Sequence, residues 1–107
     1  MHRSTWKRFE RELARDVGTM RVPVSGRETA EADFVSGPYC YQAKYRKVIP
    51  SWLFDWLAGI CGTAGKERVG VLVLNQPGKK RADSIVCLRW SDWVDIAGAP
   101  DVPEGDE

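Results

Sequence analysis

The 107-residue sequence predicts a small α/β sheet domain, and three observations predict it. Two separated segments carry apolar residues at helical intervals of three and four, others alternate or run apolar as strands do, and Gly/Pro/Ser clusters stand between them. Hydrophobic residues are 43% of the chain and charged residues 29%, a balance that supports one packed core and excludes two full domains. Five Trp, three Tyr and three Phe supply the bulk of that core.

The first helix is predicted over residues 4–17, with Ser4 as N-cap, an apolar stripe of Trp6, Phe9, Leu13 and Val17, and Gly18 as the stop. Its other face carries Lys7, Arg8, Arg11 and Arg15. A short extended piece over 19–22 and a loop over 23–27 follow. Residues 31–35 read as a strand, Ser36-Gly37-Pro38 as a tight turn and residues 39–45 as a second, aromatic-rich strand, which together make a hairpin. Pro50 suits the first turn of another helix, whose stripe of Leu53, Trp56, Leu57, Ile60, Cys61 and Ala64 ends at Gly65. Trp52 and Phe54 fall off that stripe, which implies a wider covered surface, part of it against a second subunit. The continuous apolar run 69–74 reads as an interior strand, 76–81 as a basic loop, 84–89 as a further strand, and 91–96 as a last helix capped by Ser91. The order is α-β-β-β-α-β-β-α, with residues 1–97 as the domain.

Composition narrows the chemistry. The segment from Trp52 to Ile60 is broken by Asp55, and no stretch approaches the ~20 apolar residues of a membrane span. The first residues show no apolar leader core, so the expected location is intracellular, in the cytoplasm. Cys40, Cys61 and Cys87 form no Cys-x-x-Cys pair and are expected to be buried, reduced thiols rather than zinc ligands. His2 is the one imidazole, at the chain's start, which excludes Ser-His-Asp and Cys-His catalysis. Residues 98–107 hold four acids and no base and are expected to be a disordered acidic tail, leaving sixteen bases against eleven acids in the preceding body. A basic body of that kind suits a polyanionic partner.

Strand alternation in the second strand of the hairpin sends Tyr39, Tyr41, Ala43 and Tyr45 to one face and Cys40, Gln42, Lys44 and Arg46 to the other. In the preceding strand Glu31, Asp33 and Val35 share a face, and a turn beginning at Ser36 sets Asp33 across from Gln42. One acid, one amide and one lysine then converge. An oxygen-donor set of carboxylate, amide and backbone carbonyl suits a hard divalent ion such as Mg²⁺. Such an ion activates water and polarises a phosphoryl group, while an ammonium stabilises the developing charge. Metal-assisted phosphodiester cleavage is the chemistry those residue types fit, against the plainer reading of a solvated polar strand face.

At these residues the chain resembles the PD-(D/E)XK nuclease superfamily: a helix with Glu, a Ser-Gly loop, Asp33 on one strand and Gln42-Ala43-Lys44 on the next. The segments Arg8-Phe9-Glu10-Arg11-Glu12-Leu13, Arg21-Val22-Pro23-Val24-Ser25-Gly26 and Ala32-Asp33-Phe34 are most similar to archaeal-type and phage Holliday junction resolvases, over residues 6–75. The resemblance implies a restriction-endonuclease-like mixed sheet flanked by helices. It implies Asp33 as central metal ligand, Gln42 in the second acidic position, the Ala43 carbonyl as a further ligand and Lys44 as catalytic lysine. Glu10 takes the part of the helix carboxylate that completes the metal site through water, with Glu12, about 200° around the helix from it, the weaker candidate. Ser25 resembles a loop serine near the scissile phosphate. The implied cofactor is Mg²⁺ or Mn²⁺, and the implied assembly a homodimer cutting opposed strands of branched DNA in a bacterial or phage-infected cell. Ala32 stands where the family has Pro. Gln42 stands where Glu or Asp is usual and removes one negative charge, which Glu31, two residues before Asp33, partly offsets.

Phosphate contacts are then expected from Arg21, Arg27, Arg46 and Lys47 near the site and from Lys79, Lys80 and Arg81 on the basic loop. Three other functions fit the same residues: a nickase of the same fold, a branched-DNA-binding module that has lost catalysis, and a small protein-interaction domain docking through its aromatic helix.

Overall fold

The computed structural model describes residues 3–21 and 32–98. It is a mixed α/β protein with three helices and two small antiparallel sheets: α1 (Arg3–Asp16), β1 (Phe34–Ser36), β2 (Tyr39–Tyr41), α2 (Ser51–Ala64), β3 (Leu72–Leu74), β4 (Ile85–Cys87) and α3 (Trp90–Ala97). Contacts divide the chain into two compact units, one formed by residues 1–47 with 94–107 and the other by residues 48–93.

In the first unit α1 starts at Arg3, one residue ahead of the expected cap. It ends where the sequence says it should. Gly18 adopts φ 76°, a left-handed conformation that costs a glycine little. The Gly18 N–H donates to the Arg15 carbonyl (3.0 Å) and the Thr19 N–H to the Ala14 carbonyl (2.9 Å), a Schellman closure that satisfies the last carbonyls of the helix. Residues 19–21 are not part of the strand expected there, and the first of them, Thr19, spends its N–H on ending the helix. Two strands, not three, therefore precede α2 among the described residues.

The buried face of α1 is Glu10, Ala14 and Val17, spaced four and three, with Phe9 and Leu13 half-buried beside it. Trp6, expected in the stripe, is 39% exposed. The helix is thus rotated so that a glutamate occupies a position where the apolar pattern alone puts Phe9. What it faces is the β1–β2 hairpin, paired Phe34 to Tyr41, Val35 to Cys40 and Ser36 to Tyr39. Phe34, 1% exposed, stacks on Tyr41 at a centroid distance of 4.7 Å, and Phe9 meets Tyr45 edge-on at 4.9 Å. The Ser36 hydroxyl donates to the Val17 carbonyl at 2.6 Å, tying the hairpin to the end of the helix. Tyr41 is half-buried, whereas Tyr39 and Tyr45 remain exposed at the sheet's margin. Val35 and Cys40 share the outward side of the hairpin, so Cys40 is exposed instead of buried.

In the second unit Pro50 is the N-cap of α2 rather than a residue of its first turn, and its carbonyl accepts from the Leu53 N–H at 3.1 Å. Cys61 is the one buried residue of α2. Gly70 packs directly on it: a Cβ there would stand 2.7 Å from the Cys61 Cα and 2.8 Å from its backbone nitrogen. Backbone atoms cannot yield as a side-chain tip can. Gly70→Ala is therefore expected to lower stability by about 1–3 kcal/mol, the usual cost of overpacking, read as a fall in the urea midpoint.

The strand predicted over 69–74 is shorter and less covered than expected: β3 pairs β4 antiparallel, Leu72 to Cys87 through Leu74 to Ile85, and Val73 is 59% exposed. Cys87 is half-buried. An apolar run specifies a strand but not what covers it, and each two-stranded sheet here has no third strand among the described residues. The mixed sheet expected from the resemblance is not among them either; both pairs are antiparallel. Between β3 and β4 the basic loop is held in a defined shape. The Asn75 side-chain amide donates to the Ser84 hydroxyl (2.7 Å) and to the Lys80 carbonyl (3.3 Å), and Arg81–Asp83 form a 3₁₀ turn. α3 begins at Trp90, with the Arg89 carbonyl accepting from the Trp93 N–H at 3.0 Å, so Ser91 lies inside the helix and does not cap it. Asp92 in the first turn pairs with Arg89 at 3.1 Å and, through that hydrogen bond first, raises the arginine's pKa. The Gly98 N–H closes the helix on the Val94 carbonyl at 2.7 Å. The acidic segment beyond it lies outside the described residues.

Candidate active site

The site is assembled within the first unit, from α1, the residues after it and the hairpin. Asp33 stands one residue before β1, where the chain bends. Strict continuation of the hairpin register would set it opposite Gln42. Instead its N–H donates to the Tyr41 carbonyl at 2.7 Å, and its carboxylate Oδ2 accepts the Ala43 N–H at 2.6 Å. A side-chain oxygen thus takes the place of a ladder carbonyl just where regular pairing stops. The bend also accounts for the departure from alternation, in which neighbours Asp33 and Phe34 are both buried.

Asp33 is 6% exposed and Ala43 is buried with it, whereas Gln42 and Lys44, on either side of Ala43, are exposed. The hairpin therefore holds a carboxylate inside and presents an amide and an ammonium outside, one residue to each side of their common anchor. The hydrogen bond to Ala43 is compatible with cation binding, because an ionised carboxylate offers about four lone-pair sites. Among the described residues no group of three or more His, Cys, Asp or Glu side chains comes together. A divalent ion on Asp33, the Gln42 amide oxygen and the Ala43 carbonyl would have oxygen donors only, with one negative charge among them. That donor set fits a hard ion such as Mg²⁺ or Mn²⁺, held less tightly than by two carboxylates.

Glu10 is buried at 1% exposure, and its charge is matched by one partner: Arg21 Nε donates to Glu10 Oε1 at 2.6 Å. Burying a carboxylate without such a partner is costly, so the pair is what allows a glutamate on the packed face of α1. Glu12 is exposed, in keeping with its position around the helix. Arg21, expected to meet phosphate, has thus given one donor to Glu10. Glu10 and Arg21 are eleven residues apart, and no spacing rule links them; the available signal was that Glu10 lies four and seven residues before Ala14 and Val17.

Ser25, Arg27 and Glu31 lie outside the described residues. Arg46 and Lys47 are exposed directly after the hairpin, and Lys79, Lys80 and Arg81 are exposed in the second unit. Among the described residues no helix is long and apolar enough to cross a membrane. The sequence reading missed Arg11 and Arg15 as site residues: with Thr19, Met20 and Arg21 they line one cavity of about 500 Å³. Set against known proteins, the chain matches no family model, no curated protein and no solved structure.

Proposed function

We propose that the chain is a metal-dependent endonuclease of PD-(D/E)XK type that hydrolyses phosphodiester bonds in branched DNA, a Holliday junction resolvase acting as a homodimer. The observation that carries this reading is the buried Asp33 carboxylate bonded to Ala43, with Lys44 the next residue along the chain and exposed, and Glu10 buried on the helix that packs against the same hairpin. In this reading Asp33, the Gln42 amide oxygen and the Ala43 carbonyl hold Mg²⁺ or Mn²⁺, which when bound polarises a phosphoryl oxygen and acidifies a water. Lys44 stabilises the charge that develops on the phosphoryl oxygens. Ser25 meets the scissile phosphate, and Arg27, Arg46, Lys47, Lys79, Lys80 and Arg81 contact the DNA backbone. The restriction-endonuclease-like core belongs to the same proposal.

The homodimer is supported by α2, whose large apolar residues spread over a wide arc, leaving one side to Ser51, Asp55, Gly59 and Gly62, and which is buried only at Cys61. Trp52 and Trp56 pair at 4.9 Å on one side of it and Phe54 lies on another, all three exposed. An apolar arc that wide is ordinarily covered.

The test is a labelled four-way junction, a flap and a linear duplex, each incubated with Mg²⁺ or Mn²⁺. Paired, symmetric cuts in the junction are expected, with little cutting of the linear duplex. Equal cutting of all three would mark a nickase or unselective nuclease. Gln42 favours one second reading, a binding module without turnover, which predicts junction binding and no cleavage with either metal. Absence of binding at low salt would overturn both and leave a protein-interaction domain.

A further inference from the structure

The C-terminal half of α1 carries a feature that the proposed catalytic residues do not use. Arg11 and Arg15 stand one helical turn apart, so their guanidinium groups lie on the same side of the helix, where like charges repel. Among the described residues neither has a carboxylate partner. Both line the 500 Å³ cavity that Thr19, Met20 and Arg21 complete. The third guanidinium is anchored: Arg21 spends its Nε on Glu10, which leaves four of its five N–H donors for other acceptors. One anchored arginine and two without a carboxylate partner among the described residues, around a shared cavity, concentrate positive charge there and favour an anion. Its planar donors and half-buried Thr19 suit a tetrahedral oxyanion, for which arginine forks are well matched, and its volume leaves room for the larger molecule that carries one.

We propose that Arg11, Arg15 and Arg21 form a phosphate-binding cleft at the end of α1, lined by none of Asp33, Gln42 and Ala43 and joined to the nuclease residues only through the Arg21–Glu10 pair. Nucleic acid as the donor of that phosphate rests on the nuclease reading; the cleft itself does not. Because Arg21 bridges the cleft and Glu10, a bound phosphate is registered against the packed face of α1. A DNA strand gripped there has a fixed relation to the hairpin carrying Asp33.

The experiment measures binding to a labelled four-way junction by anisotropy, in EDTA so that cleavage plays no part, for the wild type, Arg15→Gln and Arg11→Gln/Arg15→Gln. Both positions are exposed, and circular dichroism checks that the variants stay folded. The double variant is expected to bind about tenfold more weakly at roughly 50 mM salt, with a log–log salt slope shallower by about two and the single variant about halfway. Arg11→Lys/Arg15→Lys restores the slope but only part of the affinity, since an ammonium cannot donate as a fork. A parallel arm adds inorganic phosphate alone and follows the arginine Nε–H resonances. Arginine-dependent shifts without junction binding identify a site for a small phosphorylated molecule and remove nucleic acid as the donor. Unchanged affinity and slope, with no shifts, overturn the cleft. Junction cleavage that survives with that result leaves the nuclease reading standing; an intact arginine-dependent slope without cleavage under Mg²⁺ does the reverse.

Discussion

Asp33→Asn is expected to abolish metal-dependent cutting of a branched duplex while leaving the hairpin folded, and Asp33→Ala is expected to damage both. The two substitutions separate the two things this carboxylate does. Its Oδ2 accepts the Ala43 N–H at 2.6 Å in a buried setting, which is a structural task that a neutral amide oxygen can also perform. Holding a divalent cation requires the negative charge. Loss of that charge should slow single-turnover cleavage on the order of 10³-fold, the scale expected when a principal charge-stabilising element is removed. Asp33→Ala adds a second penalty of about 1–3 kcal/mol, because the Ala43 N–H is stranded away from water. Cleavage under Mn²⁺ and thermal denaturation of both variants check this together. Cutting by Asp33→Asn at the wild-type rate would remove Asp33 from the chemistry, and wild-type stability in Asp33→Ala would remove its part in the hairpin.

The second large effect concerns the buried ion pair. Arg21→Ala leaves the Glu10 carboxylate at 1% exposure with its arginine partner gone, and removing one member of a buried pair costs about 3–5 kcal/mol. Arg21 is itself partly exposed, which draws the expectation to the lower end of that range. A cost of this size is a large share of the ~5–15 kcal/mol that holds a domain together. Replacing both partners, as in Glu10→Leu/Arg21→Met, should recover most of it, since an apolar pair of similar volume often packs as well as the ions it replaces. The measurement best suited is hydrogen exchange at amides of α1 and the hairpin, because the chain divides into two units and a global midpoint need not report on this one. If the double variant were as unstable as Arg21→Ala, the ion pair would be contributing more than neutralisation of Glu10.

The helices were legible nearly to the residue. Their signals are local: apolar spacing along one chain segment, Gly18 and Gly65 just past the ends, Pro50 just before the start. The strands were legible in place but not in extent. Alternation over residues 39–45 identified β2, yet pairing stops at Tyr41 because the chain bends at Asp33 and the partner strand is spent. Residues 19–21 look extended in the sequence but belong to no strand, and the Thr19 N–H closes α1 instead of joining a sheet.

For the site, the residue types and their order along the chain were read from the sequence: a helix glutamate, an aspartate entering one strand, Gln-Ala-Lys in the next. Their environments were not. That Glu10 faces inward follows from how α1 is rotated against Phe34 and Tyr45, and that Arg21 neutralises it follows from the turn at Gly18 bringing the chain back along the helix. Periodicity says that a helix has a face to bury but not which neighbour selects it, because that choice is made by contacts between segments ten or more residues apart. Local chemistry in the chain determined the helices, the hairpin turn and the inventory of reactive groups. Only the packing of α1 on the hairpin decided that two of those carboxylates are buried, one on an arginine and one on a backbone N–H, since burial and pairing belong to the assembled surface and not to any segment of it.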